Sequence, residues 1–177
     1  MNNSAAITNP VFCAIDTPDL EAAERLVREL AGSAGGIKLG KEFFTTHGPQ
    51  GINRVREAAG SPLFLDLKFH DIPNTVAGAV RVACRMKPYM MTIHASGGPG
   101  MIRAAADAAT EGAQDQGVTR PLVIAVTVLT SLDQSDLEAV GVSATPSDQA
   151  RRLAALAQTN GADGIVCSPH EIEVLRQ

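Results

Sequence analysis

Short apolar runs alternate with longer amphipathic ones along nearly the whole chain, and this alternation limits the fold more than any other feature. The apolar runs Val11–Asp16, Gly36–Leu39, Leu63–Phe69, Met90–Ala95, Leu122–Val128 and Gly164–Cys167 read as buried strands. Helical patterns lie between them at Leu20–Ala31, Glu42–Ala59, Thr75–Met86, Gly100–Ala109 and Ser147–Thr159. Strands that take turns with helices predict a parallel sheet joined by right-handed crossovers. Thr17-Pro18 and Thr145-Pro146 read as an N-cap with a first-turn proline ahead of the first and last of these helices.

After Asp16 comes Thr17-Pro18-Asp19-Leu20, with no glycine-rich dinucleotide loop. A Rossmann domain is therefore disfavoured, and the expected α/β architecture is a (β/α)8 TIM barrel, whose chemistry gathers at the C-terminal strand ends. Only about six βα units are found where the barrel needs eight. Residues 1–177 are thus expected to form a single barrel domain, incomplete at its C-terminus.

Composition narrows the function. The formal charge is −4 with acids and bases mixed, which offers no basic stripe for nucleic acid and no polybasic arm for a membrane. Aromatics are 3% and tryptophan is absent, so platforms for base stacking are not expected. Met1-Asn2-Asn3-Ser4-Ala5-Ala6 does not read as a secretory signal, and no apolar run nears the ~20 residues that span a bilayer. Cys13, Cys84 and Cys167, odd in number and set in apolar segments, read as buried free thiols in a reducing compartment. The expected location is cytoplasmic.

The polar residues on the strands carry the chemistry. In an extended strand Phe64, Asp66, Lys68 and His70 share one face, and the apolar Leu63, Leu65, Leu67 and Phe69 share the other. A buried ion pair that only satisfies itself would account for Asp66-x-Lys68 about as well as a catalytic role. Two facts weigh against that plain account. The chain has 4 lysines against 11 arginines, and lysine, unlike arginine, can give up a proton. A second lysine, Lys38, sits inside another apolar strand, and Asp16 closes the first. Asp71, just past the third strand, reads by spacing as a cap for the next helix. Together Asp16, Lys38, Asp66, Lys68 and Asp71 make an alternating ring of charge that keeps both ammonium groups protonated. Such a lysine donates protons; a Schiff-base amine would need a lowered pKa.

The segment Phe64-Leu65-Asp66-Leu67-Lys68-Phe69-His70-Asp71-Ile72-Pro73-Asn74-Thr75 closely resembles the signature of the orotidine 5′-phosphate decarboxylases. The likeness extends through Ala14-Ile15-Asp16, Lys38-Leu39-Gly40-Lys41, His94-Ala95-Ser96-Gly97-Gly98 and Ala125–Ser131. It implies decarboxylation of orotidine 5′-phosphate to uridine 5′-phosphate in pyrimidine biosynthesis, with no cofactor and no metal. It assigns Lys68 as proton donor to C6, with Asp66 and Asp71 flanking it. Asp16 and Lys38 would hold the ribose, and Thr130 would meet the pyrimidine. A homodimer is also implied, in which Asp71 and Thr75 reach the neighbouring site. The family's phosphate-gripping turns, a Gly-Ile-Arg-Pro and a Gly-Arg pair, do not occur in these residues. This chain is accordingly expected to hold the chemical half of the site without the anchoring half, and to turn over weakly or not at all.

Two other readings remain. A metal-dependent sugar-phosphate decarboxylase or aldolase shares Asp66-x-Lys68-x-x-Asp71, but places an acidic metal ligand where this chain has Lys38, so two like charges would be forced together. An inactive barrel fragment is the other. His70 and His94 read as structural histidines at strand ends, and Ser96-Gly97-Gly98-Pro99-Gly100 as a turn into the fourth helix, since it lacks a Gly-Lys-Ser/Thr ending.

Overall fold

The computed structural model describes residues 9–176, so Met1–Ala6, read above as lacking a signal, and the terminal Gln177 lie outside the described residues. The strands are β1 (Phe12–Ala14), β2 (Gly36–Gly40), β3 (Leu63–Phe69), β4 (Met90–His94), β5 (Leu122–Val126) and β6 (Gly164–Val166). They form one sheet whose spatial order follows the chain order. The helices are α1 (Leu20–Glu29), α2 (Lys41–Ala59), α3 (Pro73–Ala83), α4 (Gly98–Gln116), α5 (Gln134–Ala139), α6 (Pro146–Thr159) and α7 (Ile172–Leu175). Every strand found by apolar runs is present: β3 keeps the expected bounds, β2 gains Gly40, and β1, β4, β5 and β6 are shorter by one to three residues. Among the described residues no helix is long and apolar enough to cross a membrane.

The chain divides into two compact units. The first comprises the chain up to Leu67, Arg81–Met91 and Thr110–Pro121. Here β1 and β2 pair in parallel with Ala14 beside Lys38, and β2 pairs with β3 with Gly40 beside Asp66. Ile37, Leu39, Leu63 and Leu65 of the strands are buried, as are Val27 of α1 and Phe43, Ile52 and Val55 of α2. Burying each of these side chains contributes roughly 1.5–3 kcal/mol. Arg54 Nε donates to Glu24 Oε1 at 2.5 Å, linking α2 to α1. A glycine is required at Gly36, where a Cβ would lie 2.3 Å from the Phe12 ring.

The second unit comprises Lys68–Val80, Thr92–Ala109 and Leu122–Gln177. Its strands β5 and β6 are parallel, with Ala125 beside Ile165. Asp163 clasps their start: Val123 N–H donates to its carboxylate at 2.7 Å, and its own N–H donates to the Val123 carbonyl at 2.9 Å. Met101, Ile102 and Ala105 of α4 and Ala150, Leu153 and Ala157 of α6 are buried.

Four local expectations need correction. Asp19, not Thr17, caps α1: its carboxylate accepts from Ala22 N–H at 2.8 Å, while Thr17 Oγ1 accepts from Asp19 N–H at 3.2 Å. An ionised acceptor makes the stronger bond to an orphan helix donor, so the cap falls there and Pro18 lies outside the helix. The pattern Glu42–Ala59 is not one continuous helix. Gly48 (φ 58, ψ −162) breaks α2, and Pro49, which lacks an N–H, restarts it. The short α5 went unread because its six residues hold little periodicity; its start is nonetheless written in an Asp133–Asp136 capping box. Of the three cysteines, all free, only Cys84 is buried; Cys13 and Cys167 are half-covered, one on a terminal strand and one just past β6. Thr145 does cap α6, accepting from Asp148 N–H at 3.2 Å with Pro146 behind it.

Candidate active site

In the first unit, strand register builds a charge cluster. Because Lys38 stands beside Ala14 and Gly40 beside Asp66, the ends of β1, β2 and β3 bring Asp16, Lys38 and Asp66 together. Lys38 Nζ lies 3.6 Å from Asp16 Oδ1 and 3.7 Å from Asp66 Oδ2, nearly midway between the two carboxylates. The two arms are unequal. Asp16 keeps 71% of its side chain exposed against 11% for Asp66. Water screens the first pairing to about 0–1 kcal/mol, whereas the second, with Asp66 largely buried, is screened less. The ammonium also finds room above Gly40, where even a Cβ would sit 3.9 Å from Nζ.

In the second unit, Lys68 is half-buried and its backbone is left-handed, with φ 51. A side chain in that region costs of order 1–3 kcal/mol and persists only where the surroundings hold it. The hold is visible: Lys68 N–H donates to Thr92 Oγ1 at 2.8 Å, and Thr92 is wholly buried in β4. The strict alternation expected from Phe64 to His70 therefore stops at Lys68, because period-two geometry requires an extended backbone. His70 and His94 face each other with ring centroids 5.2 Å apart.

Three further residues expected at the site are exposed. Asp71 Oδ1 accepts from the N–H of Ile72 at 2.6 Å, just ahead of α3, so it satisfies a donor at the approach to the helix and not one in its first turn. Thr75 lies in the first turn of α3, and Thr130 in the turn after β5. Two buried hydroxyls were missed by sequence reasoning. Thr92 supports Lys68, and Thr127 Oγ1 donates to the Val166 carbonyl at 3.0 Å, tying the end of β5 to β6. The available signal was a lone threonine inside each of two otherwise apolar strands, Met90-Met91-Thr92-Ile93 and Ile124-Ala125-Val126-Thr127-Val128.

Consecutive parallel βα units with polar residues at the C-terminal strand ends define the (β/α)8-barrel class, of which this chain holds six units. The sequence model of the Orotidine 5'-phosphate decarboxylase / HUMPS family matches residues 9–177, and the chain belongs to that family. It is 54% identical over 168 residues to an orotidine 5'-phosphate decarboxylase of Paramagnetospirillum magneticum, covering 95% of this chain and 71% of the relative. The corresponding protein of Rhodospirillum rubrum is 52% identical, with 95% and 68% covered. The crystal structure of orotidine 5'-phosphate decarboxylase from Lactobacillus acidophilus superposes with a TM-score of 0.85 at 33% identity, over 95% of this chain and 75% of that one. These relatives are longer than the present chain, in keeping with a barrel of more than six units.

Proposed function

We propose that this chain carries the decarboxylase chemistry of its named relatives, converting orotidine 5′-phosphate to uridine 5′-phosphate in pyrimidine biosynthesis. The observation that carries the proposal is β3 itself, which bears Asp66 and Lys68 two residues apart, with Lys38 held against Asp66. When the C6–carboxylate bond breaks, CO2 leaves and the electron pair stays on C6, where the ring offers no ordinary electron sink. A fixed cation stabilises that developing charge most directly. Lys68 supplies it and then transfers an Nζ proton to C6, forming the C–H bond; water restores the proton. Asp66 and Asp71 flank the lysine. Asp16 and Lys38 take the ribose hydroxyls, Thr130 meets the pyrimidine, and binding energy from the remote phosphate organises the reacting end.

The mechanism needs no metal. Lys38 already places a cation between Asp16 and Asp66, and a divalent ion there would meet like charge. The reading includes a cytoplasmic homodimer in which Asp71 and Thr75 serve the partner's site. It is supported by the exposure of both residues, beside an Ile72 that is 67% exposed.

The test is turnover of orotidine 5′-phosphate at high substrate concentration, with and without excess chelator. Such turnover as the chain shows without the phosphate-gripping turns is expected to survive chelation and to disappear in Lys68→Ala. Loss on chelation would instead favour a metal-dependent member of the family, and turnover that survives Lys68→Ala would refute the assignment of the proton donor. Light scattering checks the dimer; a monomer at micromolar concentration would remove Asp71 and Thr75 from the site.

A further inference from the structure

Lys68 combines two features that seldom occur together: a long side chain and a left-handed backbone, φ 51, at the end of a strand. The residue is neither glycine nor asparagine, and it closes no tight turn; Phe69 still belongs to β3. An unmatched buried backbone donor is costly. Thr92 meets that donor with its hydroxyl at 2.8 Å, from a side chain with no exposure, on β4.

We infer that Thr92 is a positioning residue for Lys68. Its hydroxyl anchors the Lys68 peptide N–H, and so holds the backbone from which the left-handed Cα and the ammonium arm project. Threonine suits the place because χ1 of a β-branched side chain is stiff, so the oxygen is presented in one direction. A valine there would keep the packing and lose the acceptor. The inference rests on the proton-donor reading of Lys68, but the conformational part stands independently.

The test compares Thr92→Ser with Thr92→Ala, which lose the same methyl and differ only in the hydroxyl, with Thr92→Val as the isosteric control. Backbone amide exchange at Lys68 and steady-state turnover are both measured. In Thr92→Ala and Thr92→Val the Lys68 amide should exchange at least about tenfold faster, and kcat should fall roughly 10- to 100-fold with KM within about threefold, the signature of a misplaced reacting group. Thr92→Ser should restore both. If Thr92→Ala lowers only the melting temperature, with Lys68 amide protection and kcat equal to those of Thr92→Ser, the inference is overturned. If the unaltered chain turns over no orotidine 5′-phosphate, as the lack of the phosphate-gripping turns allows, amide exchange alone decides the role of Thr92.

Discussion

Lys68 and Lys87 have almost the same backbone, φ 51 and φ 50, for opposite reasons. Lys87 closes the 3₁₀ turn Cys84–Met86; its N–H donates to the Cys84 carbonyl at 3.0 Å, its side chain is exposed, and Pro88 follows. That is a helical turn satisfying its own end, and glycine or asparagine would serve as well. Lys68 interrupts a strand, and its N–H is met by a hydroxyl that lies 24 residues away. One conformation is local and replaceable. The other is held from a distance, at the position where the chemistry is proposed. The same contrast separates Asp19, which caps its own helix, from Asp66, which leans on a lysine of another strand.

The sharpest way to separate the two lysines is to remove each side chain. Lys68→Ala should lower kcat for orotidine 5′-phosphate by at least about 10³-fold, since it deletes the group proposed both to donate the proton and to stabilise the carbanion. Lys68→Gly should be equally inactive yet more stable than Lys68→Ala by about 1 kcal/mol, because glycine adopts positive φ without strain. Equal melting of the two variants would show that the left-handed backbone carries no strain.

Next in size is Lys38→Met. It leaves the buried Asp66 without this cation, and chemical denaturation should report a loss of about 1–3 kcal/mol, below the 3–5 of a fully buried pair because Lys38 is 24% exposed. A stability change under ~0.5 kcal/mol would class the cluster with ordinary surface pairs.

Smaller still, Lys87→Gly should stabilise the fold by up to about 1 kcal/mol without touching turnover, as the cost of a left-handed side chain is removed at a place that asks nothing else of it. A loss of stability would mean that the Lys87 side chain does more than cap.

The last prediction concerns locally satisfied carboxylates. The Arg54 guanidinium bonded to Glu24, and the Ala22 N–H bonded to Asp19, hold these carboxyls below their ordinary values. A depressed folded-state pKa means stability that is present above the unfolded value and is lost as pH falls through the folded one. Melting temperature should therefore drop on acidification below the ordinary carboxylate range, and Glu24→Gln should flatten that acid limb. An unchanged limb would show the pairing to be fully screened.

Much of this was legible in the residues. Hydrophobic periodicity is a property of consecutive positions, so it marked six strands and the long helices and, with them, a parallel α/β order. The spacing of Asp66 and Lys68 on one strand, and the setting of Lys38 inside another, were visible for the same reason. Other features were not. The cap at Asp19 depends on which of two neighbouring acceptors reaches the helix N–H, and the break at Gly48 on a backbone angle that glycine permits without demanding. The pairing of Lys38 with Asp16 and Asp66 required strand register, a relation between segments that no single segment encodes. The left-handed Lys68 required Thr92, a residue whose only outward sign was a hydroxyl inside an apolar run. The sequence by itself determined which residues bear charge and on which elements they lie. The tertiary structure alone decided which charge faces which, because a bond between distant residues depends on how their strands are packed side by side.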